Sequence, residues 1–147
     1  MEPLFQQILV ATDGSEPSLK AVETALRIAE ACPSQKMTLL YVVDKLVVRE
    51  LVRFGKHSEN EVEAELEEQG RRHLESARKD AERRGVATQC LTQKGDPFEE
   101  VVATANELSA DLIVMGHTGR RGTDRVLIGS VTQRVLDYAS CPVLVVK

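Results

Sequence analysis

The stretch Asp111-Leu112-Ile113-Val114-Met115 runs straight into Gly116-His117-Thr118-Gly119, and nine residues later the chain reads Gly129-Ser130-Val131-Thr132. A short aliphatic run bounded by turn residues has the composition of a buried strand. When such a strand ends in glycines and a helix then opens, unpaired backbone N–H groups and the positive end of the helix dipole point at one place, which suits a phosphate. Glycines let the main chain come that close. No Lys follows the last glycine, so the segment is not a Walker A loop, and any phosphate would be held by main-chain and hydroxyl donors. Taken alone, Gly-x-x-Gly fits a surface loop with glycines at its turns equally well.

Outward from this segment, strand and helix signals alternate along the chain. Phe5 to Thr12 contains Ile8-Leu9-Val10-Ala11 and stops at Asp13-Gly14-Ser15, a turn and helix-start signal. From Pro17, the residues Leu19, Val22, Leu26 and Ala29 recur at helical spacing up to Cys32-Pro33. Met37 to Val43 reads as a buried strand; in Asp44 to His57 apolar residues are scattered among charges, and Leu46 to Phe54 suits a lid or a partner-binding patch, with a covering loop that completes the core preferred. Ser58-Glu59-Asn60-Glu61 has capping-box spacing, and Val62, Leu66, Leu74, Ala77 and Ala81 form an apolar stripe down a long charged helix ending at Gly85. Val86 to Gln93 is a more polar strand suited to a sheet edge, and Asp96-Pro97 caps and starts the next helix, whose buried face is Phe98, Val101, Val102, Ala105 and Leu108. A helix from about Gly129 to Tyr138 and a last strand, Val143 to Val146, follow.

The order βαβαβαβαβ with near-continuous aliphatic strands implies a parallel sheet with helices on both faces. The 147 residues, 42% hydrophobic and 29% charged, suit one α/β domain spanning 1–147. Neither a membrane span nor a signal peptide is visible in the apolar runs or in Met1 to Gln7, which places the expected location in the cytoplasm. Cys32, Cys90 and Cys141 are widely spaced and lack ligand partners nearby, which argues against a disulfide framework or a zinc site. A net charge of -4, three Phe, two Tyr and no Trp leave no general attraction to nucleic acid and little stacking surface.

Right-handed crossovers in a doubly wound five-stranded sheet give the order 3-2-1-4-5, with the winding reversing between strands one and four. Ligands bind at that reversal. Past strand one stand Thr12-Asp13-Gly14-Ser15, and past strand four Met115-Gly116-His117-Thr118-Gly119, so two glycine turns, an acid and a helix N-terminus converge on one crevice. A nucleotide fits this chemistry: Asp13 could accept hydrogen bonds from ribose or base or face a cation, while the loop and Ser130 hold phosphates. Asp13 equally suits an Asx-turn or a helix cap.

Taken together, Asp13-Gly14-Ser15, Gly95-Asp96-Pro97, Asp111 to Gly116, the Gly-x2-Gly-x9-Gly-Ser pattern and Cys141-Pro142-Val143-Leu144-Val145-Val146 resemble the universal stress protein family, in the glycine spacing of its ATP-binding branch. The resemblance covers nearly the whole chain. It implies a Rossmann-like α/β fold and an adenine nucleotide held by Asp13, Val43, Met115, Gly116, Gly119, Gly129, Ser130 and Val131. It also implies a homodimer. His117, in the same loop where a small Ser is common, is expected among the nucleotide-binding residues, and ATP with Mg or Mn on its phosphates is the expected cofactor.

Arg120, Arg121 and Arg125 make the glycine loop locally basic, as an anionic ligand would favour and as a solvated loop tip would also show. Three function classes follow. A nucleotide-dependent regulatory or partner-binding module of the stress response leads. A slow ATP-hydrolysing or nucleotidyl-transfer enzyme on the same fold is the alternative, although no nucleophile or carboxylate pair accompanies His117. A phosphorylated receiver domain fails, because Thr92-Gln93-Lys94 supplies no acid at the end of strand three. The apolar run Val143 to Val146, as a final edge strand, is expected to pair with a second copy.

Overall fold

The computed structural model describes residues 2–32, 35–55, 57–119 and 128–147. Five strands alternate with helices: β1 (Gln7–Ala11), α1 (Glu16–Ala31), β2 (Lys36–Asp44), α2 (Lys45–Phe54), α3 (Glu59–Arg83), β3 (Thr88–Gly95), α4 (Pro97–Leu108), β4 (Leu112–Gly116), α5 (Ser130–Tyr138) and β5 (Val143–Val146). All neighbouring strands pair in parallel, in the order β3-β2-β1-β4-β5, so the winding reverses between β1 and β4 as the sequence predicts.

Each side of the sheet buries a separate core. Ile8, Val10, Met37, Leu39, Tyr41, Val43, Leu112 and Val114 face α1, α2 and α3, whereas Leu9, Leu40, Ile113 and Met115 face α4 and α5. This split follows from the pleat, which sends successive side chains to opposite faces. Near-continuous aliphatic strands are the consequence, because neither face meets water.

Helix starts follow their capping residues. Ser15, Asp44, Ser58 and Asp96 accept hydrogen bonds from first-turn amides of α1, α2, α3 and α4, whereas Gly129 caps α5 without a side-chain bond.

The segment expected as a covering loop contains α2. Val48 is buried in the α1/α3-side core and Val47 and Val52 pack against it, and Val47, Val48, Leu51 and Val52 stand at the spacing of one helical face, which the reading as a loop overlooked. Asp44 starts the helix by accepting from the Leu46 amide at 2.9 Å. β3 runs on to Gly95, because Lys94 and Gly95 still pair with Val43 and Asp44. β5 is an edge strand with β4 on one side, and Leu144 is exposed on it.

Candidate functional site

Beyond the carboxyl ends of the strands lies a cavity of about 530 Å³. Its floor is apolar: Ala11, Leu40, Val42, Val101 and Met115, with Val47 of α2 and Pro97 of α4 at the sides. Polar groups come from two directions. Thr12, Asp13 and Ser18 belong to the β1–α1 junction, and Gly116, Thr118, Gly119, Gly129, Ser130, Val131 and Thr132 to the end of β4, the residues just after it and the start of α5. Among the described residues lining it, the ionisable ones are Asp13 and Asp44.

The β1–α1 turn is built from short-range hydrogen bonds. Asp13 Oδ1 accepts from the Ser15 amide at 2.9 Å, an Asx-turn, and the Ser15 side chain accepts from the Ser18 amide at 3.4 Å. Asp13 therefore fills its turn role and also borders the cavity, so the two readings of this residue are compatible.

Across the cavity, α5 begins at Gly129. The first amides of any helix lack intrahelical acceptors, and Gly129 brings no side chain to satisfy them. Ser130, Val131 and Thr132, the residues that carry those amides, all line the cavity. Thr132 Oγ1 donates to the Gly116 carbonyl at 2.9 Å, which ties the first turn of α5 to the end of β4. The helix start thus offers main-chain donors and a positive dipole end to whatever the cavity holds.

Two glycines pack the two halves together, and a third closes the β4–α5 side on itself. A Cβ at Gly116 would stand 2.7 Å from the Pro17 carbonyl carbon, so this glycine lets β4 approach α1. At Gly119 it would meet the Asp13 Oδ2 atom at 2.8 Å, placing the second loop directly against the acid of the first. At Gly129 it would lie 3.2 Å from the Thr118 Cα.

Of the residues the sequence singled out, the structure brings Asp13, Met115, Gly116, Gly119, Gly129, Ser130 and Val131 to this one cavity. Two stand elsewhere. The Val43 side chain is 1% exposed in the core beneath α1 and α3, because strand alternation turns Val42 and Asp44 toward the cavity instead. The peptide group of His117 is engaged in the fold: its N–H donates to the Val146 carbonyl at 2.8 Å and its carbonyl accepts from the Gly129 amide at 2.6 Å. His117 is not among the lining residues, and its Nδ1 is buried without a hydrogen-bond partner. Arg120, Arg121 and Arg125 lie outside the described residues. Sequence reading named Thr12 and Thr132 only as parts of the two turn motifs, and missed Ser18, Val42 and Asp44. The strand alternation signals Val42, and the capping position signals Asp44.

Among the described residues, no group of three His, Cys, Asp or Glu is placed to hold a metal ion, and no helix is long and apolar enough to cross a membrane.

Comparison with known proteins adds lineage to this geometry. Residues 4–147 match the universal stress protein family. Universal stress protein MJ0531 of Methanocaldococcus jannaschii is 41% identical over 99% of this chain and 84% of its own length. YxiE of Bacillus subtilis is 32% identical over 98% of this chain and 100% of its own. Among solved structures, hypothetical protein MJ0577 superposes with a TM-score of 0.85 at 30% identity, covering 98% of this chain and 96% of that one. A universal stress protein in complex with cAMP superposes with a TM-score of 0.66 at 26% identity, over 97% and 96% of the two chains. Sheet order, glycine-bordered cavity and a match across almost the full length agree: the chain belongs to the universal stress protein family.

Proposed function

We propose that the cavity binds an adenine nucleotide, ATP foremost, and that the chain acts as a nucleotide-dependent regulatory module in a stress response. One observation carries this reading: the side-chain-free start of α5 and the Asp13 turn border a single apolar-floored cavity. A base lies against Leu40, Val42, Val47 and Val101, Asp13 accepts hydrogen bonds from the nucleoside, and the Gly129 to Thr132 amides hold phosphate oxygens. The close approach at Gly119 and Gly129 leaves the main chain bare where phosphate would sit. A structural relative solved with cAMP supports a nucleotide as the ligand class. Mg or Mn would ride on the phosphates, with the Asp13 and Asp44 carboxylates as the protein groups of suitable chemistry.

The module is a homodimer in this reading, with β5 of each copy at the interface, since an exposed aliphatic edge strand is an association surface unless covered. Its place of action is the cytoplasm.

The test is mass spectrometry of the purified chain for co-purifying nucleotide, followed by calorimetric titration of the stripped protein with ATP. Bound adenine nucleotide with slow turnover is expected. Absence of binding to ATP overturns the reading, and steady multiple turnover assigns the chain to the enzyme alternative instead.

A further inference from the structure

The Asp13-Gly14-Ser15 turn is held from two sides by side chains. On the inner side stand Thr12 and Ser18, which are 5% and 4% exposed. The Ser18 hydroxyl donates to the Ser15 carbonyl at 2.9 Å, so in its 3.1 Å contact with Thr12 Oγ1 the threonine is the donor. The two oxygens then accept from the turn itself, Ser18 from the Asp13 amide and Thr12 from the Gly14 amide, both at 3.4 Å. Contacts of that length leave the turn room to shift.

The outer side is closed by a different element. Gly14 has φ +82°, a conformation that glycine adopts freely but does not specifically favour. The place where an L-residue would carry its Cβ is taken by the imidazole of His73, from the middle of α3. His73 is half-buried and lies outside the cavity lining, so it reaches the site only through the turn. Because Asp13 Oδ1 is bonded to the Ser15 amide, any displacement of Gly14 and Ser15 re-aims the carboxylate.

We propose that His73 is a positioning residue: its ring acts as the outer stop for Gly14, fixes the direction of the Asp13 carboxylate, and so couples α3 to recognition of the nucleoside end of the ligand. This rests on the nucleotide reading above. The ring acts by filling space, so a flat apolar ring can replace it.

His73→Ala and His73→Phe test this in the full chain. Amide hydrogen exchange is measured without ligand, and ATP and tripolyphosphate are then titrated calorimetrically. His73→Ala is expected to speed exchange at Gly14 and Ser15 but not at the first turn of α5. It should weaken ATP about fivefold to tenfold and leave tripolyphosphate within about twofold of the parent. His73→Phe restores ATP affinity. Unchanged exchange at the turn, equal losses for the two ligands, or a Phe variant no better than Ala each overturn the proposal. If the parent itself binds no ATP, the nucleotide reading fails, and the exchange rates still decide whether His73 holds the turn.

Discussion

Gly116 and Gly119 sit three residues apart in one loop, and the structure assigns them opposite consequences on substitution by Ala. At Gly116 the new Cβ would stand 2.7, 2.8 and 2.9 Å from Pro17 C, Cβ and O, atoms of a helix start packed on a central strand. Neither partner can rotate away. Overpacking of this kind costs about 1 to 3 kcal/mol, and at roughly 2 to 4 °C per kcal/mol for a chain of this size the melting temperature should fall by about 2 to 12 °C.

At Gly119 the added methyl meets Asp13 Oδ2 at 2.8 Å, and this is the one close contact. The carboxylate can pivot on its Oδ1 bond to the Ser15 amide and turn Oδ2 aside, so the fold should lose less than about 0.5 kcal/mol. The swing takes Asp13 off the nucleoside. A lost hydrogen bond to a charged group is worth about 1.5 to 3 kcal/mol, or roughly a 10- to 150-fold weaker Kd for ATP. Thermal melts followed by circular dichroism, alongside calorimetric titration with ATP, separate the two effects. The reasoning is refuted if Gly119→Ala binds ATP like the parent, or if Gly116→Ala melts at the parent temperature.

Two further outcomes are expected. Leu144→Lys places a charge on the exposed β5 edge and should shift sedimentation from dimer to monomer with the melting temperature of the monomeric fold retained; a dimer persisting at micromolar concentration would show the interface to be elsewhere. On α3, the hydrogen bond from Arg71 holds the Glu68 carboxyl at about 2, below its ordinary 4.5. A carboxyl with a lowered folded value stabilises fully above pH 4.5, and that contribution fades as pH falls through about 2. Parent and Arg71→Ala should therefore differ in melting temperature above pH 4.5 and converge near pH 2, and a gap that stays constant across this range would refute the assignment.

Most of the fold was legible because its signals are local and redundant. Ser58 with Glu61, Asp96 with Pro97, and the aliphatic runs at Ile8 and Leu112 each mark an element from their own chemistry, and handedness then orders the sheet. α2 is different: Val47, Val48, Leu51 and Val52 do recur at helical spacing, so its period stands in the sequence, and Asp44 caps it while ending β2. What the sequence does not show is burial, because a helix at a cavity mouth leaves Leu46, Leu51 and Phe54 exposed.

The site divides along the same line. Glycines and an acid next to strand ends are visible in sequence because backbone approach demands them, and Asp13, Gly119 and Gly129 were found that way. Residues that act through packing geometry have no such signature. Val42 differs from Val43 only in which side of the pleat it occupies, and a register shift of one residue exchanges cavity wall for core. Thr12 and Ser18 look like ordinary helix-start polar residues until their oxygens are seen 3.1 Å apart beneath the turn. His73 lies 60 positions from Asp13 in sequence, and only the packing of α3 across the sheet brings its ring to Gly14. The polar and glycine positions that would touch a ligand are thus written in local chemistry, whereas the apolar wall and the groups that aim Asp13 are written in the tertiary fold.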